Sequence, residues 1–209
     1  MPTSEENTGR LISRRAVLGL LFAGAAVLAL PRLSWAQTAS TRAEALVAQI
    51  SSEVTALVNS GRGEAQMYAE FERVLARYAD MPAVAAASLG PPWRSASAGA
   101  RQAYVAAFQT YLSRKYGRQF REFRNAQIEV LGSRDAGNAG VLVNTRVVRP
   151  GQAPIAVDWQ ISERSGSPRA VNLVIEGVSM LANERAEIGA MLEASRGSID
   201  GLIQRMQAR

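Results

Sequence analysis

The sequence predicts an α+β domain, and three observations carry that prediction. Apolar residues recur at helical spacing through the first half of the chain, from Arg42 to about Phe120. After Asn125 the period changes from 3.6 to 2, which is typical of strands with one apolar face. Hairpin-length connections separate these strands, so the sheet is expected to be antiparallel. We therefore expect N-terminal helices, a four-stranded antiparallel curved sheet, and C-terminal helices that together enclose an apolar pocket.

Glycines and prolines mark the predicted boundaries between the helices. Gly61 and Gly63 end the first helix. Asp80 is a candidate N-cap for a short third helix that has Pro82 in its first turn. The long fourth helix is expected to run to Phe120 or beyond. The helices before the sheet are expected at 42–59, 64–78, 81–89 and 97–120, and those after it at 183–194 and 199–207.

The strands are predicted from alternation of apolar and polar residues. The third is the clearest, because Ile155, Val157, Trp159 and Ile161 fall on one face and Asp158 falls on the other. The glycine, aspartate and asparagine residues of 132–140 indicate a hairpin loop between the first two strands. The four strands are expected around 127–130, 141–147, 155–161 and 171–175.

The N-terminus has the three regions of a secretory signal peptide. A polar start ends in basic residues at 13–15, and an uncharged apolar run follows at 16–30. Ser34 and Ala36 are the small residues expected before a cleavage site at Gln37. The apolar run is shorter than the roughly 20 residues that span a bilayer, which disfavours a permanent anchor. We expect residues 1–36 to be removed and residues 37–209 to form a single domain.

The paired arginines of the signal suggest a particular export route. Ser13 to Leu18 resembles the twin-arginine motif, although Val17 stands where phenylalanine is usual. The alternative is an ordinary signal peptide with two chance arginines. Both routes lead out of the cytoplasm, so a periplasmic location is predicted, and the motif favours export by the twin-arginine pathway.

The amino-acid composition excludes or disfavours several classes of function. The chain has no cysteine and no histidine, so disulfides and thiolate metal sites are excluded and the commonest general base is missing. Without the four arginines and two glutamates of residues 1–36, the formal net charge falls from +6 to +4. This excess is scattered and includes no Lys/Arg block, which argues against nucleic acid. We expect no catalytic residues, no metal and no cofactor.

Several segments resemble the MlaC (toluene-tolerance) family in order and spacing. The most specific is 174–180, Val-Ile-Glu-Gly-Val-Ser-Met, and Glu184-Arg185 follows closely. Two departures stand out: 168–172 replaces the usual Trp-Lys-Val-Tyr-Asp run, and Glu184 replaces the family tyrosine. The other matching segments are 71–81, 88–94, 102–116 with its Phe108–Leu112 core, and 199–203.

The resemblance implies a fold related to NTF2-like and cystatin-like proteins, with a deep apolar pocket between sheet and helices. Acyl chains of a phospholipid would lie in that pocket, with the head group near solvent. The implied role is to shuttle phospholipid between an outer-membrane lipoprotein complex and an inner-membrane ABC transporter with an MCE-domain subunit, which maintains outer-membrane lipid asymmetry. A monomer is expected.

The candidate pocket wall combines one face of the sheet with aromatic and aliphatic residues of two helices. For each residue, ordinary core packing is the alternative, and periodicity does not distinguish the two. The candidate lipid-binding residues are Phe71, Leu75, Tyr104, Phe108, Tyr111, Val143, Val147, Ile155, Val157, Trp159, Val171 and Leu173.

Two other functions remain open at this stage. An NTF2-like periplasmic enzyme could use Asp158 or Glu176 with a tyrosine, but Asp158 falls on the strand face opposite the apolar residues. A lipid-free chaperone or adaptor is the other possibility. Trp93-Arg94 fits the rim of a pocket or, preferably, an anchor for the following helix, and Gly177 fits a sharp exit from the fourth strand.

Overall fold

The computed structural model describes residues 31–208, with side chains from Thr38 onward. Backbone contacts divide the chain into two units, Met1–Ala36 and Gln37–Arg209, and the fold described below is that of the second. Most of the predicted signal peptide lies outside the described residues. Its cleavage and export route therefore stay predictions.

The second unit is mixed α and β, which confirms the predicted fold class. Three helices and a single helical turn precede the long helix α5, and two helices follow the sheet. The helices are α1 (Pro31–Val58), α2 (Glu64–Tyr78), α3 (Met81–Leu89), α4 (Pro92–Ser95), α5 (Ala98–Gly117), α6 (Met180–Ala194) and α7 (Ile199–Gln207). Two 3-10 helices lie at Arg118–Phe123 and Gly137–Ala139.

The strands form one antiparallel sheet in the order β1-β2-β3-β4-β5. Every strand pairs with its neighbour in sequence, as the short connections predict. The sheet has five strands instead of the expected four. The strands are β1 (Gln127–Asp135), β2 (Val141–Val148), β3 (Ile155–Ser162), β4 (Arg169–Ile175) and β5 (Val178–Ser179).

The first strand is longer than predicted. Its pairing with β2 shifts register between Val130 and Gly132, and Gly132 has a φ of 138°. Gly132 therefore sits in a bulge within the strand instead of opening a loop. The strand continues to Asp135, and the loop shrinks to the turn around Gly137–Ala139.

The extra strand follows a tight turn. Glu176 and Gly177 have φ values of 49° and 80°, the left-handed pair that turns a hairpin in two residues. The Glu176 carboxylate accepts a hydrogen bond from the Ala156 N–H, which ties the turn to β3. Only two residues then pair with β4. So short a strand has no period that a sequence pattern can reveal.

The start of α3 and the end of α5 can each be explained from local structure. The Asp80 side chain accepts a hydrogen bond from the Ala83 N–H at 3.1 Å, which confirms the predicted N-cap of α3. The long helix α5 ends earlier than expected, at Gly117, and continues as the tighter 3-10 helix Arg118–Phe123. At Gly117 any Cβ would overlap the ring of Tyr68, so α2 and α5 approach closely there.

The buried residues form four apolar clusters. The helical cluster joins α3, α5, α6 and α7, and its buried members include Met81, Tyr104, Phe108, Ile188 and Leu202. The α1–sheet cluster comprises Ala43, Val47, Val141, Val143 and Ile161. The phenylalanine cluster comprises Leu57, Val58, Met67 and Phe120, with Phe71 and Phe123 packed against it. The strand cluster comprises Ala126, Val147 and Val157, with Phe123, Ile128, Ile155, Trp159, Leu173 and Ile175 packed against it.

Candidate functional site

The apolar face of the sheet is the first part of the candidate site. Register places Val143 opposite Trp159, and Trp159 opposite Leu173 on the next strand. In the same way Val157 lies opposite Ile175. The alternation predicted for the second and third strands therefore produces one continuous apolar face across β2, β3 and β4.

One end of this face is closed. Helix α1 packs Ala43 and Val47 against Val141, Val143 and Ile161. Val143 is completely buried and Ile161 is 2% exposed, so this end is ordinary core.

The other end is only half covered. Ile155, Trp159, Leu173 and Ile175 pack on the strand cluster but are each partly exposed, although they lie on the apolar face. We call these four residues the half-open end. Val171, also a candidate, is partly exposed and lies where the pairing of β3 with β4 shifts register between Gln160 and Ile161.

A buried hydroxyl fixes the largest side chain of this face. The Trp159 indole donates a hydrogen bond to Thr145 Oγ1 at 3.0 Å. Thr145 in turn donates to the Val157 carbonyl at 2.8 Å and is 1% exposed. Thr145 thus gives the indole N–H a partner on a face that is otherwise apolar, and it holds the ring in one orientation.

The candidate helix residues do not join the sheet residues in one cluster. Tyr104, Phe108 and Tyr111 are core members of the helical cluster, and Leu75 packs against it. Phe71 packs instead in the phenylalanine cluster, with its ring centroid 4.7 Å from that of Phe120. Val147 and Val157 belong to the strand cluster, whereas Val143 belongs to the α1–sheet cluster. Lipid binding by these residues stays a prediction.

A partly buried ionic network joins α5 to α6. Glu184 is 3% exposed and accepts hydrogen bonds from Lys115 at 2.6 Å and from the Tyr116 hydroxyl. Lys115 also donates to Glu187 at 2.6 Å, and Tyr111 donates to Glu187 at 2.7 Å. Glu184, the residue that departs from the resembled family, is therefore held by two partners from α5 in the folded chain.

The pKa values in this network favour protonated tyrosine and lysine. Burial, followed by the bond to Glu187, raises the pKa of Tyr111 to about 12. Burial and the bond to Glu184 also raise the pKa of Tyr116. Burial alone would lower the pKa of Lys115, but its bonds to Glu184 and Glu187 raise it above the ordinary value. Such tyrosines stay neutral near pH 7, which does not suit a general base.

The acidic residue weighed as a catalyst faces away from the apolar face. Asp158 lies opposite Asn144 in the register and accepts a hydrogen bond from its side chain at 2.8 Å. Trp93 likewise has a structural position: Arg101 donates to its carbonyl at 2.9 Å and lies over its ring. Trp93 thus anchors the start of α5, as the preferred interpretation of the sequence expected.

A second, basic feature was not among the sequence predictions. A cavity of about 290 Å³ opens between the α1–α2 connection and the 3-10 helix Arg118–Phe123. Its floor is apolar, and its rim includes Arg62, Arg121 and Arg124 together with Glu64. The floor residues are Leu57, Val58, Met67 and Phe120. We call this cavity the arginine pocket; the sequence signal for it is the three-residue period of 118–124, Arg-Gln-Phe-Arg-Glu-Phe-Arg.

Two other classes of site, a membrane span and a metal site, are absent from the described residues. None of the helices between residues 31 and 208 combines the length and apolar character needed to cross a membrane. In that same part of the chain, carboxylates do not gather into a group of three that could hold a metal ion.

Comparison with known proteins assigns the family. Residues 48–208 match the family model described as MlaC protein. The chain belongs to the MlaC family. Membership confirms the resemblance carried by the 174–180 segment and its companions. It also places the half-open end and the arginine pocket within the part of the chain that the family model covers.

Two relatives of this MlaC-family chain are informative. The intermembrane phospholipid transport system binding protein MlaC of Haemophilus influenzae is 27% identical over 123 residues, which cover 57% of this chain and 56% of that protein. The match thus spans little more than half of the curated relative. A phospholipid-binding protein from Ralstonia solanacearum, solved in complex with a phospholipid, is similar with a TM-score of 0.69 and 20% identity. That similarity covers 79% of this chain and 95% of the solved one, and it supports the shared fold.

Proposed function

We propose that this MlaC-family protein is a phospholipid carrier and that the half-open end of its sheet receives acyl chain. The observation that carries the proposal is the contrast along one apolar face. Ile161 and Val143 are almost fully buried, whereas Trp159, Leu173 and Ile175 are partly exposed. A contiguous apolar surface that faces water is unfavourable unless a ligand or partner covers it. The fold shared with a protein solved with phospholipid supports the same ligand.

Energetics explain why such a carrier is needed. Each methylene transferred from water is worth about 0.8 kcal/mol, so a sixteen-carbon chain in water costs on the order of 12 kcal/mol. A lipid with two chains therefore does not cross an aqueous compartment at a useful rate. A carrier needs apolar surface that is open enough to exchange the chain, which the half-open end provides.

The cellular setting is also part of the proposal. We place the mature protein, residues 37–209, in the periplasm as a monomer after twin-arginine export. There it would shuttle phospholipid between an outer-membrane lipoprotein complex and an inner-membrane MCE/ABC transporter, and so maintain outer-membrane lipid asymmetry. The relative from Haemophilus influenzae, described as the binding protein of an intermembrane phospholipid transport system, supports this role.

We propose a non-enzymatic function. The chain has no histidine or cysteine, Asp158 lies on the sheet face opposite the apolar one, and the pKa values of Tyr104 and Tyr111 are raised by burial. A lipid-free adaptor gives no reason for an apolar sheet face that is buried at one end and partly exposed at the other. The lipid carrier therefore explains the structure better than either alternative.

The test is capture of phospholipid by the purified mature protein. We expect lipid to co-purify, to be visible by native mass spectrometry, and to move from labelled donor vesicles to acceptor vesicles. Leu173→Asn should reduce uptake at least fivefold, because it places an amide on the apolar face. Val174→Asn is the matched control, since Val174 lies opposite Asp158 on the other face. A parent protein that neither contains nor takes up phospholipid would overturn the proposal.

A further inference from the structure

The three-residue period of 118–124 has a geometric consequence. A 3-10 helix has three residues per turn, so side chains three apart lie above one another. Arg118 and Arg121 therefore follow one line along this segment, and Phe120 and Phe123 follow another, while Arg124 comes directly after the helix. Phe120 is buried in the phenylalanine cluster, and Phe123 packs against it. The apolar line thus anchors the segment and leaves arginines at its surface.

The charges around the arginine pocket do not balance. Arg121 pairs with Glu64 at 2.7 Å, and Arg62 lies 3.4 Å from Glu70, which also pairs with Arg73. Arg124 has no ion-pair partner among the described residues. Arg121 and Glu64 are 69% and 53% exposed, so their pair is weak and can be exchanged for a ligand. The carboxylate of the 118–124 segment itself belongs to Glu122, which is exposed. Among the residues that line the pocket, three arginines accompany one glutamate.

One side chain, Phe123, links the two clusters that lie beside the pocket and on the sheet. Phe123 packs against both the phenylalanine cluster and the strand cluster. The guanidinium of Arg149, at the end of β2, lies 5.4 Å from the centre of the Phe123 ring. Arg149 Nε is buried and has no hydrogen-bond partner within residues 31–208. Arg149 thus places a further cation beside the side chain that the two clusters share.

We propose that the arginine pocket binds the phosphate of a phospholipid head group while the acyl chain extends past Phe123 toward the half-open end. The guanidinium group suits this ligand, because its fixed fork of donors matches the oxygens of a phosphate. The apolar floor accepts the glycerol end of the chains. This inference rests on the proposed carrier function and adds the part of the protein that recognises the head group.

The experiment compares soluble lipids that share their acyl chains and differ in the phosphate-containing head group. Lipid-free mature protein is titrated with dihexanoyl-phosphatidylglycerol below its micellar concentration, with dihexanoylglycerol, and with inorganic phosphate. The variant is Arg121→Gln/Arg124→Gln. The matched control is Arg94→Gln/Arg134→Gln, which removes the same charge from two exposed arginines that do not line the pocket. Arg62→Gln, on the opposite rim, provides an independent second variant, and circular dichroism confirms that each is folded.

We expect the parent to bind the phospholipid and the double variant to bind it about tenfold more weakly, with a smaller loss for Arg62→Gln. Binding of dihexanoylglycerol should not change, and the control should behave as the parent. Equal phospholipid affinity in all variants would overturn the head-group site and leave the carrier function intact. Equal affinity for inorganic phosphate and phospholipid would also overturn it, because the pocket would then recognise free phosphate. Failure of the parent to bind either lipid would contradict the carrier function itself.

Discussion

Gly140 shows how a single backbone position constrains the hairpin between β1 and β2. It has a φ of 91°, and a Cβ there would overlap the carbonyl oxygen of Ile161 on β3. Gly140→Ala should lower the free energy of unfolding by about 3 kcal/mol, because it combines backbone strain with overlap against a main-chain atom. Urea unfolding followed by circular dichroism measures this change.

A second glycine of the same turn is the matched control. Gly137 also has a positive φ, 58°, but a Cβ there would have nothing within 4 Å. Gly137→Ala should therefore cost only the left-handed penalty, about 1 kcal/mol. Equal losses for the two variants would show that close approach to Ile161 is unimportant.

The sheet face that a side chain occupies could be predicted wherever apolar and polar residues alternate along a strand. The sequence placed Asp158 away from the apolar residues, and the structure confirms that position through its bond from Asn144. The role of Glu184 was not predictable. Its partners Lys115 and Tyr116 lie about seventy residues away in the sequence, and only the packing of α5 on α6 brings them together.

At the scale of elements, the N-cap of α3 ties a helix to the sheet. Asp80 accepts the Ala83 N–H with its side chain, and its own N–H donates to the Ala170 carbonyl at 2.9 Å. Asp80→Ala should destabilise the fold by about 1 kcal/mol, because the helix loses its side-chain cap. Asp80→Asn keeps an acceptor and should remain within about 0.5 kcal/mol of the parent. Urea midpoints separate the two; a loss in Asp80→Asn equal to that in Asp80→Ala would refute the capping role.

The ionic network between α5 and α6 predicts a fall in stability at alkaline pH. The pKa of Tyr111 is about 12 in the folded chain, and the pKa values of Tyr116 and Lys115 are also raised. The folded state therefore holds these protons more tightly than the unfolded state, whose values lie near 10. The contribution of these groups to the free energy of unfolding is fully present below pH 10 and is lost as the pH rises through 12 and beyond.

Tyr111→Phe tests this dependence through urea midpoints at pH 8, 10 and 11. The variant should be less stable than the parent by about 1 kcal/mol at pH 8, because the hydrogen bond to Glu187 is lost. Above pH 10 its stability should decline less steeply, since one titrating group is gone. A decline as steep as that of the parent would rule out Tyr111 as a source of the pH dependence.

For the whole molecule, the question is whether the apolar face is core along its full width. Ile161→Ala at the closed end should cost about 3 to 4 kcal/mol in the lipid-free protein, because Ile161 is 2% exposed and leaves a cavity. Leu173→Ala at the half-open end should cost less than about 2 kcal/mol, because its side chain is already partly exposed. It should also reduce the amount of bound phospholipid.

Unfolding and lipid extraction of the same preparations distinguish the two ends. Added phospholipid should raise the unfolding midpoint of the parent and of Ile161→Ala, since a ligand stabilises the state that binds it. It should raise that of Leu173→Ala by less. Equal stability losses in lipid-free Leu173→Ala and Ile161→Ala would show that the whole face is closed core.

Local sequence patterns were enough to predict the α+β order and the apolar face of the central strands, because periodicity and caps act over a few residues. The face of Ile155, Val157, Trp159 and Ile161 is the clearest case. The family was predicted from matching segments such as 174–180. Tertiary structure alone decided which surface covers each apolar stripe. The tyrosines of α5 point into the helical cluster instead of joining the sheet, and the arginines that are scattered in sequence meet at one pocket. The physical reason is that an amphipathic pattern specifies a buried face, whereas the path of the chain selects its partner.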